Sequence, residues 1–202
     1  MARRTFDATD RDVNAYALLT ALVVPRPIAW ISTLSADGVG NLAPHSFFTV
    51  SSAKPPIVQF TSVGHKDTLA NVRATGEFVV NVASRPMMDL VNRCSAPWES
   101  GVDEAAELGI EMEPSVVVAP PRVAASPASI ECRVHSEVDL GRSVVVLGDV
   151  VAITVEESAL DGDHPMMSAL QPLSRLGGDE WGLPPEVVEL PRPRTADEAR
   201  GR

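Results

Sequence analysis

The chain has 202 residues, 45% of them apolar and 22% charged, a balance that buries one core and argues against general disorder. Its 27 acidic and 17 basic side chains leave a formal charge of −10, with no basic stripe of the kind that nucleic-acid readers carry. The longest apolar run, Ala15 to Val24, is too short to cross a bilayer, and Asp7, Asp10 and Asp12 stand where a signal peptide needs its apolar stretch. A cytoplasmic protein without nucleic-acid or membrane partners is expected. Cys94 and Cys132 are the only cysteines and lack metal-ligand spacing, so they read as reduced, packed thiols.

Residues 1–12 are polar and read as a flexible terminus. Tyr16, Leu18, Leu19, Leu22 and Val23 recur at helical spacing until Pro25, whose predecessor avoids the helical region. Residues 28–34 are rich in β-formers, residues 35–40 supply turn chemistry, and 41–52 read as a second strand broken near Pro44. A third strand is expected over 57–63. The period then changes: Leu69, Val72 and Arg73 share a helical face, with Asp67 placed to cap the start and Gly76 to end it. Residues 77–84 return to a strand, and 87–97 read as a short helix. An acidic, loop-like stretch with some helical character follows over 98–113. Three strands are expected at 116–121, 129–140 and 143–157, the last two joined by a turn at Leu140–Ser143. The charged residues 191–202 read as a disordered tail, leaving one domain over 13–190. Repeated βα units of constant length are absent, so the pattern predicts a mainly β fold with short inserted helices, closed as a small barrel.

Four segments carry chemistry together: PRPIAWIST at 25–33, NLAPHSFF at 41–48, KDTLANV at 66–72 running into GEFVVN at 76–81, and LSRLGG at 173–178. In that order and spacing, with VLGDVV between the third and fourth, they resemble the flavin reductase-like, FMN-binding split-barrel family over roughly residues 16–181. The resemblance implies a split β-barrel of Greek-key type, bound FMN (with FAD as the alternative), and a homodimer whose flavin sites lie near the subunit interface. It also implies NAD(P)H as a transient co-substrate. The acceptor is left open among free flavin, oxygen and a partner oxygenase. An electron carrier that never handles nicotinamide, and a dimeric scaffold that has lost the cofactor, are the alternatives.

The residues suit such a ligand on their own chemistry. A phosphate needs positive charge and free N–H groups, and Lys66, Asp67 and Thr68 open a helix whose first turn offers both, with Ser62 on the preceding loop. Pro44 cannot donate to a ladder, so a strand through it leaves backbone groups for another partner. Asn41, Ala43, Pro44, His45, Ser46 and Phe47 are therefore candidates for the wall against the flavin ring. The resemblance places Ser32 and Thr33 beside the ribityl or phosphate group and Arg175 and Trp181 over the site, while Trp30 reads as core or as a ring contact. His45 invites the role of proton donor, but no catalytic residue is assigned, because the cofactor itself does the redox chemistry. The other histidines do not cluster, so no metal is expected. G-x-S-x-G and G-x-G-x-x-G are absent, which removes a serine nucleophile and a separate dinucleotide-binding domain; nicotinamide must dock on the flavin.

Overall fold

The computed structural model describes residues 1–200. Seven strands form one antiparallel sheet: β1 (Ala29–Leu34), β2 (Gly40–His45), β3 (Phe48–Ala53), β4 (Pro56–Val63), β5 (Glu77–Val82), β6 (Ala128–Asp139) and β7 (Ser143–Val155). Their spatial order is β2-β1-β5-β6-β7-β4-β3. The two edge strands, β2 and β3, are consecutive in the chain and joined only by Ser46 and Phe47, so the sheet has to curl until its edges meet. They meet without zipping together. No ladder joins β2 to β3, which leaves the barrel split there; the Thr61 N–H donates to the Phe47 carbonyl at 2.8 Å and carries the β3–β4 ladder into the link.

Alternation decides what each strand contributes. Ala29 and Ile31 of β1 point into the barrel with Phe60, Phe78, Val80, Cys132 and Val146, while Trp30 and Leu42, which faces Ser32 two positions along the same ladder, point outward. The outward face is buried as well, because Met87, Val91, Cys94, Ala105, Ile110 and Val123 cover it. In the barrel, the rings of Phe60 and Phe78 meet edge to face at 5.3 Å. Gly148 lies at a register shift of β7, where a side chain would run into the ring of Phe78. Helix α2 (Asp67–Thr75) closes one end of the barrel through Leu69 and Val72, and Gly76 ends it in the left-handed conformation at φ 73°.

Most elements fall where periodicity places them, including α1 (Ala15–Leu22) and the hairpin turn in which Leu140 N–H bonds Ser143. Three expectations are corrected. The strand over 41–52 does not break at Pro44, which stays in register opposite Trp30; the break comes at Ser46–Phe47. The helix expected over 87–97 is shorter, α3 (Met88–Arg93) after a single 3-10 turn. Residues 116–121 form no strand, because the fully buried Glu131 carboxylate accepts the N–H groups of Val116, Val117 and Val118 and holds the segment as a loop. The acidic stretch contributes α4 (Glu104–Leu108). Residues 1–12 are exposed, as are 191–200 with one helical turn at Ala196–Ala199; residues 201 and 202 of the expected tail lie outside the described residues.

Candidate functional site

A cavity of about 540 Å³ occupies the split between the sheet edges. One wall is β2 and its link to β3, from Asn41 to Phe47; β4 adds Thr61 and Val63; the start of α2 and the segment 94–100 complete it. Helix α2 opens onto this space without a cap. Its N-cap residue is Lys66, in extended conformation, and no side chain bonds the first-turn N–H groups. Lys66 forms no ion pair among the described residues. Unpaired N–H groups, the helix dipole and an ammonium thus converge on one spot, a seat for an anion. Asp67 does not cap the helix as expected. Its carboxylate accepts from the Ser100 hydroxyl at 2.7 Å and the Gly101 N–H at 2.9 Å, tying the segment 94–101 to α2 as the far wall.

Behind the anion seat lies a buried polar network. Asn41 donates to Thr33 at 3.2 Å and to Thr68 at 3.0 Å, and Asn71 donates to Thr33 at 3.1 Å. His45 Nε2 lies 3.3 Å from the Thr68 hydroxyl. Burial pushes the His45 imidazole down to about 4, against a weaker backbone hydrogen bond to Thr61 and with a further push from nearby Lys66. The ring is therefore neutral at pH 7. The tautomer of the neutral ring sets which partner donates between Nε2 and the Thr68 hydroxyl, and that hydroxyl also accepts from Asn41. This arrangement fixes Thr68 at the cavity rather than supplying a mobile acid.

The outer edge of β2 has been stripped of donors. Leu42 N–H is taken at 2.8 Å by Glu104, a buried carboxyl that also lines the cavity, and Pro44 has no N–H. Desolvation raises the Glu104 pKa above the usual glutamate value, opposed by its hydrogen bond from Leu42. Aromatic surface comes from Phe47, whose ring has Tyr16 at 6.4 Å and the Arg26 guanidinium at 5.9 Å, and from Trp98, anchored by its indole N–H on the Arg93 carbonyl at 3.1 Å. Cys94 also lines the space, but burial pushes its thiol up to about 12, so it is not a nucleophile at neutral pH.

Of the residues singled out in the sequence, Asn41, Ala43, Pro44, His45, Ser46, Phe47, Lys66, Asp67 and Thr68 share this cavity. Trp30 packs in the outer core; Ser32 donates to the Pro121 carbonyl; Thr33 sits behind Asn41; Ser62 is buried and donates to the Gly64 carbonyl at 2.9 Å. Arg175 and Trp181 line a second cavity, of about 400 Å³, that adjoins the first. The sequence reading missed Tyr16, Glu104 and the whole segment 94–100. A local signal existed for α4, since Asp103 caps it by accepting from Ala105 and Ala106, but nothing local places Glu104 beside Leu42. No cluster of three or more metal-ligating side chains occurs among the described residues.

Residues 21–171 match the model of the flavin reductase like domain. A Deinococcus radiodurans protein is 39% identical over 191 residues, covering 88% of this chain and 84% of its own. The structure of nitrilotriacetate monooxygenase component B from Bacillus cereus is 27% identical and superposes with a TM-score of 0.89, over 94% of this chain and 100% of that one. The Pseudomonas fluorescens 2-nitrobenzoate 2-nitroreductase is 29% identical, with a TM-score of 0.86 over 94% and 97%.

Proposed function

The chain belongs to the flavin reductase-like family of FMN-binding split barrels, and on that footing we propose that its cavity holds FMN and that it passes electrons from NADH or NADPH to an acceptor. The observation that carries the reading is the uncapped start of α2, with Lys66, opening onto the split. The residues fit the group. Lys66, the first-turn N–H groups and Thr68 suit its phosphate, and Asn41 suits the ribityl hydroxyls. The donor-poor edge of β2 offers carbonyls to a ring N–H, with Phe47 and Trp98 as apolar surface. When bound, the isoalloxazine supplies the hydride and electron chemistry. The chain orients it, excludes water with the 94–101 wall, and keeps His45 neutral, so any proton exchanged near pH 7 comes from elsewhere.

The acceptor (free flavin, oxygen or a partner oxygenase) lies outside the chain. The Bacillus cereus protein is named as one component of a monooxygenase, which supports the last of these. A homodimer is part of the reading, because α1 exposes Tyr16, Leu19 and Leu22, with Tyr16 also lining the cavity, and a second copy would cover them. Sedimentation of the flavin-loaded protein at micromolar concentration checks this.

The cofactor reading is tested on Lys66→Ala. A charge-assisted contact to phosphate is worth about 1.5–3 kcal/mol, so FMN binding is expected to weaken roughly ten- to a hundred-fold while riboflavin binding barely changes. Quenching of flavin fluorescence in titrations of the apo-protein measures both. Equal losses for the two ligands would remove Lys66 from the phosphate. Anaerobic mixing with NADH and NADPH then separates a reductase, whose flavin band bleaches, from a carrier that only dithionite reduces.

A further inference from the structure

Pro44, Ser46 and Ser95 are walls of two cavities at once. Beyond them, the second cavity is bounded by Ile28, Asn92, Arg175, Asp179 and Trp181. A small three-stranded sheet builds it: Arg26–Pro27 pairs with Ser174–Arg175, which pairs with Trp181–Gly182, so that Arg175 stands opposite both Arg26 and Trp181. The two arginines are used differently. Arg26 is buried, and its terminal nitrogens donate to the carbonyls of Thr20, Val23 and Leu176, locking the C-terminal segment onto α1. Arg175 is half-buried with its guanidinium 5.0 Å from the centre of the Trp181 ring, and one nitrogen donates to the Gly178 carbonyl at 2.7 Å. No carboxylate pairs with it among the described residues. A guanidinium carries five N–H donors in a fork that matches a carboxylate, so most of this one is unspent.

The rest of the cavity suits the same kind of ligand. Ile28 and Pro44 are apolar, Trp181 offers an aromatic surface, and Asn92, Ser46 and Ser95 are neutral hydrogen-bonding groups. Among the described residues Asp179 is the only carboxylate in the lining, and it is exposed, so water and salt screen it more than they screen Arg175. At about 400 Å³ the space is near the lower end of small-molecule pockets, roughly 300–1,000 Å³, which suits a single-ring acid better than a dinucleotide.

We propose that this second cavity seats a small aromatic carboxylate, with its carboxylate on Arg175 and its ring against Ile28, Pro44 and Trp181. The site then lies across the Pro44–Ser46 wall from the flavin cavity, where a small acid competes with or accompanies whatever docks on the flavin. That placement rests on the flavin reading; the affinity for the acid does not.

Calorimetric titration of the FMN-loaded protein with benzoate and with benzamide, which keeps the ring and loses the charge, tests it. Benzoate is expected to bind at least about ten-fold tighter than benzamide, since the charged hydrogen bond is the difference between them. Arg175→Gln should remove roughly ten- to a hundred-fold from benzoate and leave benzamide unchanged. Arg175→Lys should fall between, because a point charge replaces a fork. FMN affinity, measured in the same variants, is expected to hold. Equal binding of the two probes, or benzoate binding indifferent to Arg175, overturns the proposal. A parallel loss of FMN overturns it as well, by moving Arg175 to the flavin site. Should the protein hold no FMN at all, the flavin reading fails, and the benzoate and benzamide titrations of the protein as purified still decide the second cavity.

Discussion

Two hydrophobic clusters lie back to back across the same strands, and they are built in different ways. The barrel interior gathers alternate residues of the long strands together with Leu69 and Val72 of α2. The outer cluster gathers the other alternate residues, Trp30 and Leu42, under pieces that arrive from short helices and loops, among them Met87, Val91, Cys94 and Ala105. The first is a continuous hydrogen-bonded wall that a regular pattern specifies. The second is a patchwork, and it carries the far side of the candidate site: Cys94 and the segment after it line the cavity, and Ala105 sits in the helix that presents Glu104. Stability and ligand geometry are therefore separable here, the barrel governing mainly the one and the patchwork both.

Phe78→Ala should have the largest effect. The ring is fully buried at the centre of the barrel, and such truncations cost about 3–5 kcal/mol. Urea unfolding should show that loss, while the folded fraction keeps its FMN affinity within a few-fold. A collapse of affinity with little change in stability would break the separation of the two clusters.

Acid should act through His45, whose ring lies 4.9 Å from Phe60 and so joins the cavity to the barrel. Its pKa falls from an ordinary 6.5 to about 4 in the fold, so between those values the unfolded chain binds a proton that the fold refuses. Stability is therefore complete above pH 6.5 and drains away as pH falls toward 4, by about 3 kcal/mol at about 1.4 kcal/mol per unit. Glu104 has the opposite sign. Its raised pKa favours the protonated form in the fold, a relative gain that is full below the ordinary glutamate value and lost as pH rises through its folded value. Urea midpoints measured across this range should flatten in His45→Gln. If they do not, the acid sensitivity belongs to other groups.

Met87→Ala probes the outer cluster. A buried methionine in the outer cluster should cost about 2 kcal/mol, the low end for such truncations, because the short inserts can settle into the gap. FMN binding should weaken several-fold in the same variant, as the 94–100 wall shifts with its support. Unfolding midpoints and flavin titrations on one preparation check both, and unchanged affinity would detach the outer cluster from the cavity.

Local pattern alone determined a good deal of this protein. Pro25 ends α1 and Gly76 ends α2 because each acts on the backbone beside it, and the alternation in β1 specifies two faces whatever packs on them. Residues of 41–47 and of 66–68, grouped in the sequence only by the resemblance, border one cavity. The remainder depends on contacts that exist only once the chain is folded. Asp67 looks like a helix cap from its neighbours, yet its partners are Ser100 and Gly101, and a distant hydrogen bond outweighs a local preference worth about 1 kcal/mol. Residues 116–118 look like a strand, yet Glu131 takes their N–H groups, because a buried carboxylate must be satisfied. Arg175 and Trp181 line the adjoining cavity because the short hairpin of 174–175 and 181–182 pairs with Arg26–Pro27 from the other end of the chain, where no periodicity could announce it. Sequence patterns report interactions within a few residues, whereas the walls of these cavities are made by groups 30 to 150 positions apart, such as Asp67 with Gly101 and Arg26 with Leu176, and folding alone brings those together.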